Sequence, residues 1–140
     1  MNLETFKKVL SFTPNQMLMH VGHPNGSGVL NAIKETTNNV LEIDAAQLAD
    51  EYDLMEIVKQ NKGKNLTVVV ADVNRMLPSI RDAFMREFFF NFPTNFGNSS
   101  LILLTNYEYK CGVDPVYENR EFPFEDICVC SKFSHYHIEK

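Results

Sequence analysis

The sequence has no excess of basic residues and no long apolar run, and each absence excludes a class of protein. Its 13 lysines and arginines are outnumbered by 18 acidic residues, and its net charge is −5. A chain of this charge has no general attraction for phosphate backbones, so direct nucleic-acid binding is not expected. No apolar run approaches the roughly 20 residues that a membrane span needs, and the N-terminus lacks the pattern of a signal peptide, so no membrane association is expected.

Cysteine is also scarce. The chain has three cysteines, Cys111, Cys128 and Cys130, an odd number without the spacing of a disulfide framework. Such usage is typical of a reducing compartment, so the expected location is the cytoplasm. Cys128 and Cys130 alternate with apolar residues, which favours buried strand positions over a redox or metal role.

The sequence does contain a regular alternation of helical and strand patterns. A helix is predicted over residues 1–14, and strands are predicted over residues 17–21, 39–43, 66–71, 101–105 and 126–131. The run at 66–71 is almost wholly apolar, so it is expected to be the central strand. Asp44 is predicted to cap the helix after the second strand, and Pro78 to begin the helix after the third.

These patterns predict one α/β domain over residues 1–140. Parallel neighbours need crossover connections, so the alternation implies three layers: about five mostly parallel strands with helices on both faces. Residues 132–140 are expected to form a short tail. Ligands of such sheets bind at the carboxyl ends of the strands, near the point where the strand order reverses.

A glycine-rich stretch, Gly22 to Val29, lies between the first strand and its helix, where a phosphate-binding loop would be. A Walker A loop reads G-x-x-x-x-G-K-[ST], with lysine on the phosphates and the hydroxyl on magnesium. Counted from Gly22, the lysine position holds Gly28 and the hydroxyl position holds Val29. The stretch is therefore either a chance glycine loop or a nucleotide site without its catalytic groups. Backbone amides at Gly22, Gly26, Ser27 and Gly28 could still attract a phosphate weakly.

Two later segments extend the pattern. Ala71 to Phe84 resembles the D-E-x-N-R…P segment of AAA+ ATPases of the MoxR type, where Walker B meets its following helix. Leu103 to Asn106 is similar to the sensor 1 strand, and Val113-Asp114-Pro115 with Arg120-Glu121-Phe122 resembles the L-D-P-A…R-F stretch of the family. The resemblance implies a P-loop NTPase-like domain in which Asp72 and Asn106 belong to the nucleotide site and Arg120 is a candidate trans-acting arginine. Read without the family, Asp72 and Asn106 are turn residues.

The sequence departs from this family at its catalytic positions. The position of the Walker B glutamate holds Val73, in addition to Gly28 and Val29 in the loop. Phosphoryl transfer depends on electrostatic stabilisation and positioning, so no useful ATP hydrolysis and no tightly bound cofactor are expected. Only Phe133 to Lys140 follow the last predicted strand, which implies that a C-terminal helical lid is missing.

Phenylalanine is concentrated in one segment. A helix cannot point three consecutive side chains at one core, so part of the run Phe88, Phe89 and Phe90, together with Phe92, is a candidate interface for a protein partner. The alternative is that the helix end and its following loop bury these rings.

Histidine occurs as two close pairs, His20 with His23 and His135 with His137. A zinc site needs three or four converging ligands, and nothing in the spacing completes such a set. No metal site is predicted.

The sequence therefore favours a non-catalytic AAA+-like module that binds and regulates a protein partner, such as an active AAA+ ATPase or a second copy of this chain. Two alternatives stay open. One is a divergent nucleotide-binding ATPase subunit that needs residues from a partner, and the other is a structural subunit of a larger assembly.

Overall fold

A single parallel sheet organises the chain. The computed structural model describes residues 1–12, 16–108 and 133–139. Within them the strands are β1 (Leu18–His23), β2 (Val40–Asp44), β3 (Thr67–Ala71), β4 (Ser100–Asn106) and β5 (Ser134–His137). Their order is β2-β3-β4-β1-β5, and every neighbouring pair is parallel. The predicted α/β class is confirmed.

Helices cover both faces of this sheet. Along the described chain they are α1 (Leu3–Phe12), α2 (Val29–Thr36), α3 (Glu51–Gln60), α4 (Pro78–Met85), a π-helical turn (Arg86–Phe90) and α5 (Phe92–Phe96). Short 3-10 turns lie at Ala45–Gln47 and Val73–Arg75. Apolar side chains of α1 and α2 pack on one face of the sheet, and those of α3, α4 and α5 pack on the other. The result is the three-layer arrangement that the sequence predicts.

The apolar strands are buried from both sides. Val68, Val69 and Val70 of β3 are inaccessible to solvent, and so are Leu101 and Ile102 of β4. The central strand is β4, so the prediction that β3 takes the central place is wrong. A continuous apolar run indicates that both faces of a strand are covered. This is true of every interior strand, so the run does not identify the central one.

The fifth strand lies where a short tail was expected. Ser134 to His137 pairs with β1, and the amide of Ile138 continues the ladder by donating to the carbonyl of Gly22 at 2.8 Å. The prediction of a tail is wrong here because an edge strand rich in Ser and His carries little of the apolar signal that marks a buried strand. The strand predicted at 126–131 lies outside the described residues.

Two aspartates cap separate elements between β2 and β3. The Asp44 carboxylate accepts a hydrogen bond from the amide of Ala46, and so caps the 3-10 turn. The cap of α3 is Asp50, which accepts from the amide of Asp53 at 3.0 Å. Asp44 is thus a cap, as predicted, but of a short turn that precedes the helix. Pro78 occupies the first position of α4, as predicted.

The phenylalanine cluster is largely internal. Phe84 stacks on Phe88 with ring centroids 4.8 Å apart, and Phe96 packs against Phe88 and Phe92 at 5.2 and 5.1 Å. The candidate interface residues Phe88 and Phe92 are therefore buried, and Phe89 is partly buried, since these rings fill the core beneath the sheet. Only Phe90 of the four is exposed, at 79%.

The π-helical turn is stabilised by a buried carboxylate. The amide of Asn91 donates to the carbonyl of Arg86, five residues back, at 2.9 Å. Glu87 in this turn accepts from Asn95 Nδ2 at 2.6 Å and from Arg86 Nε at 3.0 Å. Burial alone would raise the pKa of Glu87, but these hydrogen bonds lower it. The turn therefore presents Phe90 from a well-bonded backbone.

A pair of alanine substitutions tests this division of the cluster. Phe88→Ala removes a fully buried ring and should lower the free energy of unfolding by about 3–5 kcal/mol. Phe90→Ala removes an exposed ring and should change it by no more than about 0.5 kcal/mol. Urea unfolding of both variants measures the difference, and equal losses would contradict the packing described here.

Candidate functional site

The carboxyl ends of all five strands lie at one edge of the sheet, because the strands are parallel. β1 and β4 are neighbours in the sheet. The strand that follows β1 along the chain, β2, is the edge strand on one side, whereas β5, which comes after β4 along the chain, is the edge strand on the other side. The strand order thus reverses between β1 and β4, and ligands of open α/β sheets bind outside such a point.

A glycine loop, residues 24–28, joins β1 to α2 at this point. Gly26 and Gly28 have φ values of +69° and +76°, in the left-handed region that side chains disfavour. Gly28 is the N-cap of α2, and its carbonyl accepts from the amide of Ala32 at 3.0 Å. The loop therefore has the position of a P-loop and needs glycine for its path.

The loop amides are bonded largely within the chain. The amide of Ser27 donates to the carbonyl of Pro24 at 3.3 Å, and the amide of Val29 donates to Ser27 Oγ at 3.3 Å. Ser27 Oγ is also 3.1 Å from His23 Nδ1. Ser27 thus places its hydroxyl over the first amide of α2, where an anion would otherwise bind.

A carboxylate bonds a further loop amide. The amide of Asn25 donates to Glu108 Oε2 at 3.0 Å. Asn106, at the end of β4, donates from Nδ2 to Asn25 Oδ1 at 2.6 Å, and its own Oδ1 accepts from the amide of Glu108 at 3.1 Å. Glu108 is not among the site residues that the sequence predicts. Its signal was its position two residues after Asn106, at the end of a strand that pairs with β1.

Asp72 lies on the same edge, directly after β3. Its backbone is left-handed, with φ of 51°, and its side chain does not cap the 3-10 turn that follows. Burial and the charge of Asp44 raise the pKa of Asp72, and Arg75 and His23 oppose that rise. The Arg75 guanidinium is 3.9 Å from the Asp72 carboxylate. Asp72 therefore keeps a partly buried carboxylate at some cost to stability.

The other catalytic positions of a P-loop ATPase are apolar or constrained here. Val29 is buried in the core between α1, α2 and the sheet, and Val73 is buried in the core on the opposite face. A Cβ atom at Gly28 would lie 3.5 Å from Leu3 Cδ2, and the positive φ would strain any side chain there.

Gly22, the first glycine of the motif, belongs to the strand and not to the loop. It lies inside β1, and the Tyr107 and His137 rings stack beside it with centroids 4.7 Å apart. A Cβ atom at Gly22 would lie 3.5 Å from His137 Nδ1 and 3.7 Å from Tyr107 Cδ1. Both distances are ordinary van der Waals contacts, so a methyl group at Gly22 would fit beside this stack, which links the ends of β4 and β5.

The four histidines do not act as the two sequence pairs. His23 contacts Ser27 in the loop, whereas His20 faces the other side of β1 and contacts His135 of β5. Burial and the neighbouring His135 lower the pKa of His20 to about 4, so its ring is neutral at neutral pH. Across the parts of the chain that the structure describes, no group of three or more His, Cys, Asp or Glu side chains could hold a metal ion.

The predicted nucleotide-site residues that the structure describes lie together at one edge of the sheet. The glycines, Ser27, Asp72 and Asn106 lie there, and Asn74 Nδ2 donates to the Asn106 carbonyl at 3.0 Å. Arg120 and the segments at 113–115 and 120–122 lie outside the described residues. Within the described residues, no helix is long and apolar enough to cross a membrane.

The sheet order and the position of the loop match the α/β fold of AAA+ P-loop NTPases. Two solved structures share the fold. The RuvB Holliday junction branch migration motor of Thermotoga maritima superposes with a TM-score of 0.63 at 14% identity, over 97% of this chain and 45% of that one. A DNA polymerase III gamma subunit-related protein of the same organism superposes with a TM-score of 0.54 at 16% identity, over 100% of this chain and 46% of that one.

At these identities the likeness concerns the fold alone. This chain spans less than half the length of either solved protein. No protein-family model matches the sequence, and no curated protein is similar to it.

Asp72→Asn tests whether the ionised carboxylate of Asp72 lowers the free energy of unfolding. A folded-state pKa above the unfolded value means that ionisation destabilises the fold above the folded pKa, and that this penalty vanishes below the unfolded pKa of about 4. The variant should therefore be more stable than the native chain at pH 7, and this gain should shrink as the pH falls through the raised folded-state pKa and be lost below about pH 4. Asn also tolerates the left-handed backbone, but that benefit does not depend on pH.

Urea unfolding at several pH values measures the effect of Asp72→Asn. Asp82→Asn removes the same charge from an exposed position of α4 and is the matched control. A gain for Asp72→Asn that is constant from pH 7 to pH 3 would contradict the electrostatic account.

Proposed function

We propose that this chain is a protein-binding module on an AAA+-like scaffold, and that it regulates a partner without hydrolysing ATP. The main observation in support of the proposal is the hydrogen bond between the Asn25 amide and the Glu108 carboxylate. The chain supplies its own anion to the loop that, in a P-loop ATPase, would receive the phosphates of the nucleotide.

The charges at this edge oppose a nucleotide. A phosphate oxygen about 4 Å from the Glu108 carboxylate would be repelled by about 4 kcal/mol at an effective dielectric constant of about 20. Asp44 and Asp72 add negative charge at the ends of the neighbouring strands. With glycine at the position of the Walker A lysine, the loop has no lysine to offset this repulsion. These residues do not fit ATP.

The catalytic positions also hold residues of another chemical type. Val29 and Val73 stand where a magnesium-binding hydroxyl and a water-activating glutamate would be, and both side chains belong to hydrophobic cores. Phosphoryl transfer relies on charge placed at the reacting atoms, and buried valines cannot provide it. The scaffold therefore supports a role in binding.

Phe90 supports a protein as the partner. It is 79% exposed, yet it lies in a turn whose neighbours Glu87 and Phe88 are buried. A large aromatic side chain on a rigid backbone loses little conformational freedom on binding and can supply much of an interface's energy. Beside it, Arg86 pairs with Glu51 of α3 at 2.9 Å, so the surface around the ring is polar. The AAA+-like fold supports an AAA+ ATPase, or a second copy of this chain, as the partner.

The test is affinity capture by the tagged full chain from native extract, with mass spectrometry of the captured proteins and analytical ultracentrifugation for self-association. We expect a stoichiometric partner whose capture falls at least tenfold with Phe90→Ala. Phe12→Ala is the matched control, because Phe12 is a phenylalanine that is 88% exposed at the end of α1, a helix that packs on the opposite face of the sheet. A chain that captures nothing and stays monomeric, or equal capture by the Phe90 variant, would contradict the proposal.

A further inference from the structure

A cleft lies at the opposite edge of the sheet from the glycine loop, beside the first residues of β3 and β4. We call it the amino-end cleft. Its volume is about 540 Å³, within the range of about 300–1,000 Å³ that is typical of small-molecule sites. The last turns of α1 and α2 form one wall, and the loops that precede β2, β3 and β4 form the others. The cleft shares no residue with the glycine-loop edge, so it is independent of the proposed function.

Two buried hydroxyl groups form the floor of the amino-end cleft. Thr67 and Ser100, which are 8% and 6% exposed, occupy directly paired positions of β3 and β4, so their side chains project from the same face of the sheet. Ser100 Oγ accepts a hydrogen bond from the amide of Met17 at 3.0 Å, and its own proton has no partner among the described residues. Thr67 Oγ1 donates to the carbonyl of Asn38 at 3.2 Å, which leaves its lone pairs available. The floor thus offers one donor and one acceptor side by side.

The hydroxyl groups of the helical wall can accept hydrogen bonds from a ligand. Ser11 Oγ donates to the carbonyl of Lys7 at 3.0 Å, and Thr37 Oγ1 donates to the carbonyl of Ile33 at 2.7 Å. Because these protons are used within the helices, the two hydroxyls offer lone pairs to the cleft. The carboxyl ends of α1 and α2 also carry partial negative charge from the helix dipole. This wall therefore favours the O–H groups of a ligand and disfavours anions.

The rim of the amino-end cleft is polar but uncharged. The described residues that line the cleft include no Lys, Arg, Asp or Glu, but they include Asn38, Asn39, Asn65 and Asn98. The side-chain amides of Asn38 and Asn98 form no hydrogen bond within the described part of the chain, and each can both donate and accept. The cleft thus has no cation to pair with a phosphate or carboxylate and no carboxylate to pair with an ammonium group. Its chemistry fits a neutral ligand that is rich in hydroxyl groups.

We propose that the amino-end cleft binds a neutral polyhydroxylated molecule of the mono- or disaccharide class. A hydroxyl group both donates and accepts, so adjacent hydroxyls of one sugar ring can bond to Ser100 and Thr67 at once. The side-chain amides of Asn38 and Asn98 bond to further hydroxyls at the rim, and Leu10 contacts the C–H groups of the ring.

Titration of the ¹⁵N-labelled full chain with glucose, galactose, N-acetylglucosamine and maltose tests the site. With at least one of these sugars we expect saturable shifts of the Asn38 and Asn98 side-chain amides and of the Ser100 backbone amide. Asn98→Ala removes an exposed rim amide and should weaken the binding of that sugar at least tenfold. Asn31→Ala is the matched control, because Asn31 is an exposed asparagine of α2 outside the cleft, and it should leave the affinity unchanged.

Two further probes test the class of ligand. Glucose 6-phosphate should not shift these amides, because the cleft has no cation for its phosphate and the helix ends disfavour an anion. Glycerol at the same mass concentration should give no saturable shift, which excludes a general effect of polyols on the solvent. The proposal would be overturned by the absence of saturable shifts with all four sugars, by native affinity in Asn98→Ala, or by equal binding of glucose and glucose 6-phosphate.

Discussion

The hydrogen bond from the Asn25 amide to the Glu108 carboxylate is the interaction on which the candidate site depends. It joins the glycine loop to the residues that follow β4, and Asn106 reinforces the link by bonding to Asn25 and to the Glu108 amide. The contact between Asn25 and Glu108 is exposed to solvent, and a hydrogen bond to a charged group is roughly twice as strong as a neutral one. A nucleotide phosphate would have to displace the Glu108 carboxylate from the Asn25 amide and overcome the electrostatic repulsion of that carboxylate.

The hydrogen bond between Asn25 and Glu108 is consistent with the residues found at the other catalytic positions of a P-loop ATPase. With Glu108 on the loop, a lysine at Gly28 would have no phosphate to contact, and the left-handed backbone would strain it. Val73 and Val29 extend the two hydrophobic cores into positions that catalysis would make polar. Asp72 keeps a carboxyl group there, and burial and the charge of Asp44 raise its pKa, so its ionisation opposes folding. In the function that we propose, packing and internal hydrogen bonds take the place of the catalytic groups.

Local patterns in the sequence predict what depends on local structure. The apolar runs locate β3 and β4, and Pro78 marks the start of α4. β5 escapes prediction because its polar residues are held by pairing with β1, which is more than 100 residues away along the chain. The role of Glu108 depends on the register that places His23 opposite Asn106. Contacts set by strand pairing between distant segments cannot be read from periodicity, and here those contacts determine the site.

The most direct measurement of the central claim is the amide resonance of Asn25 in a ¹⁵N-labelled chain titrated with ATP and magnesium. If the Glu108 carboxylate occupies the loop, the amide resonances of Asn25, Gly26 and Gly28 should stay unchanged up to millimolar nucleotide. A saturable shift of these amides at micromolar ATP would contradict the account, because it would show that phosphate displaces the internal carboxylate.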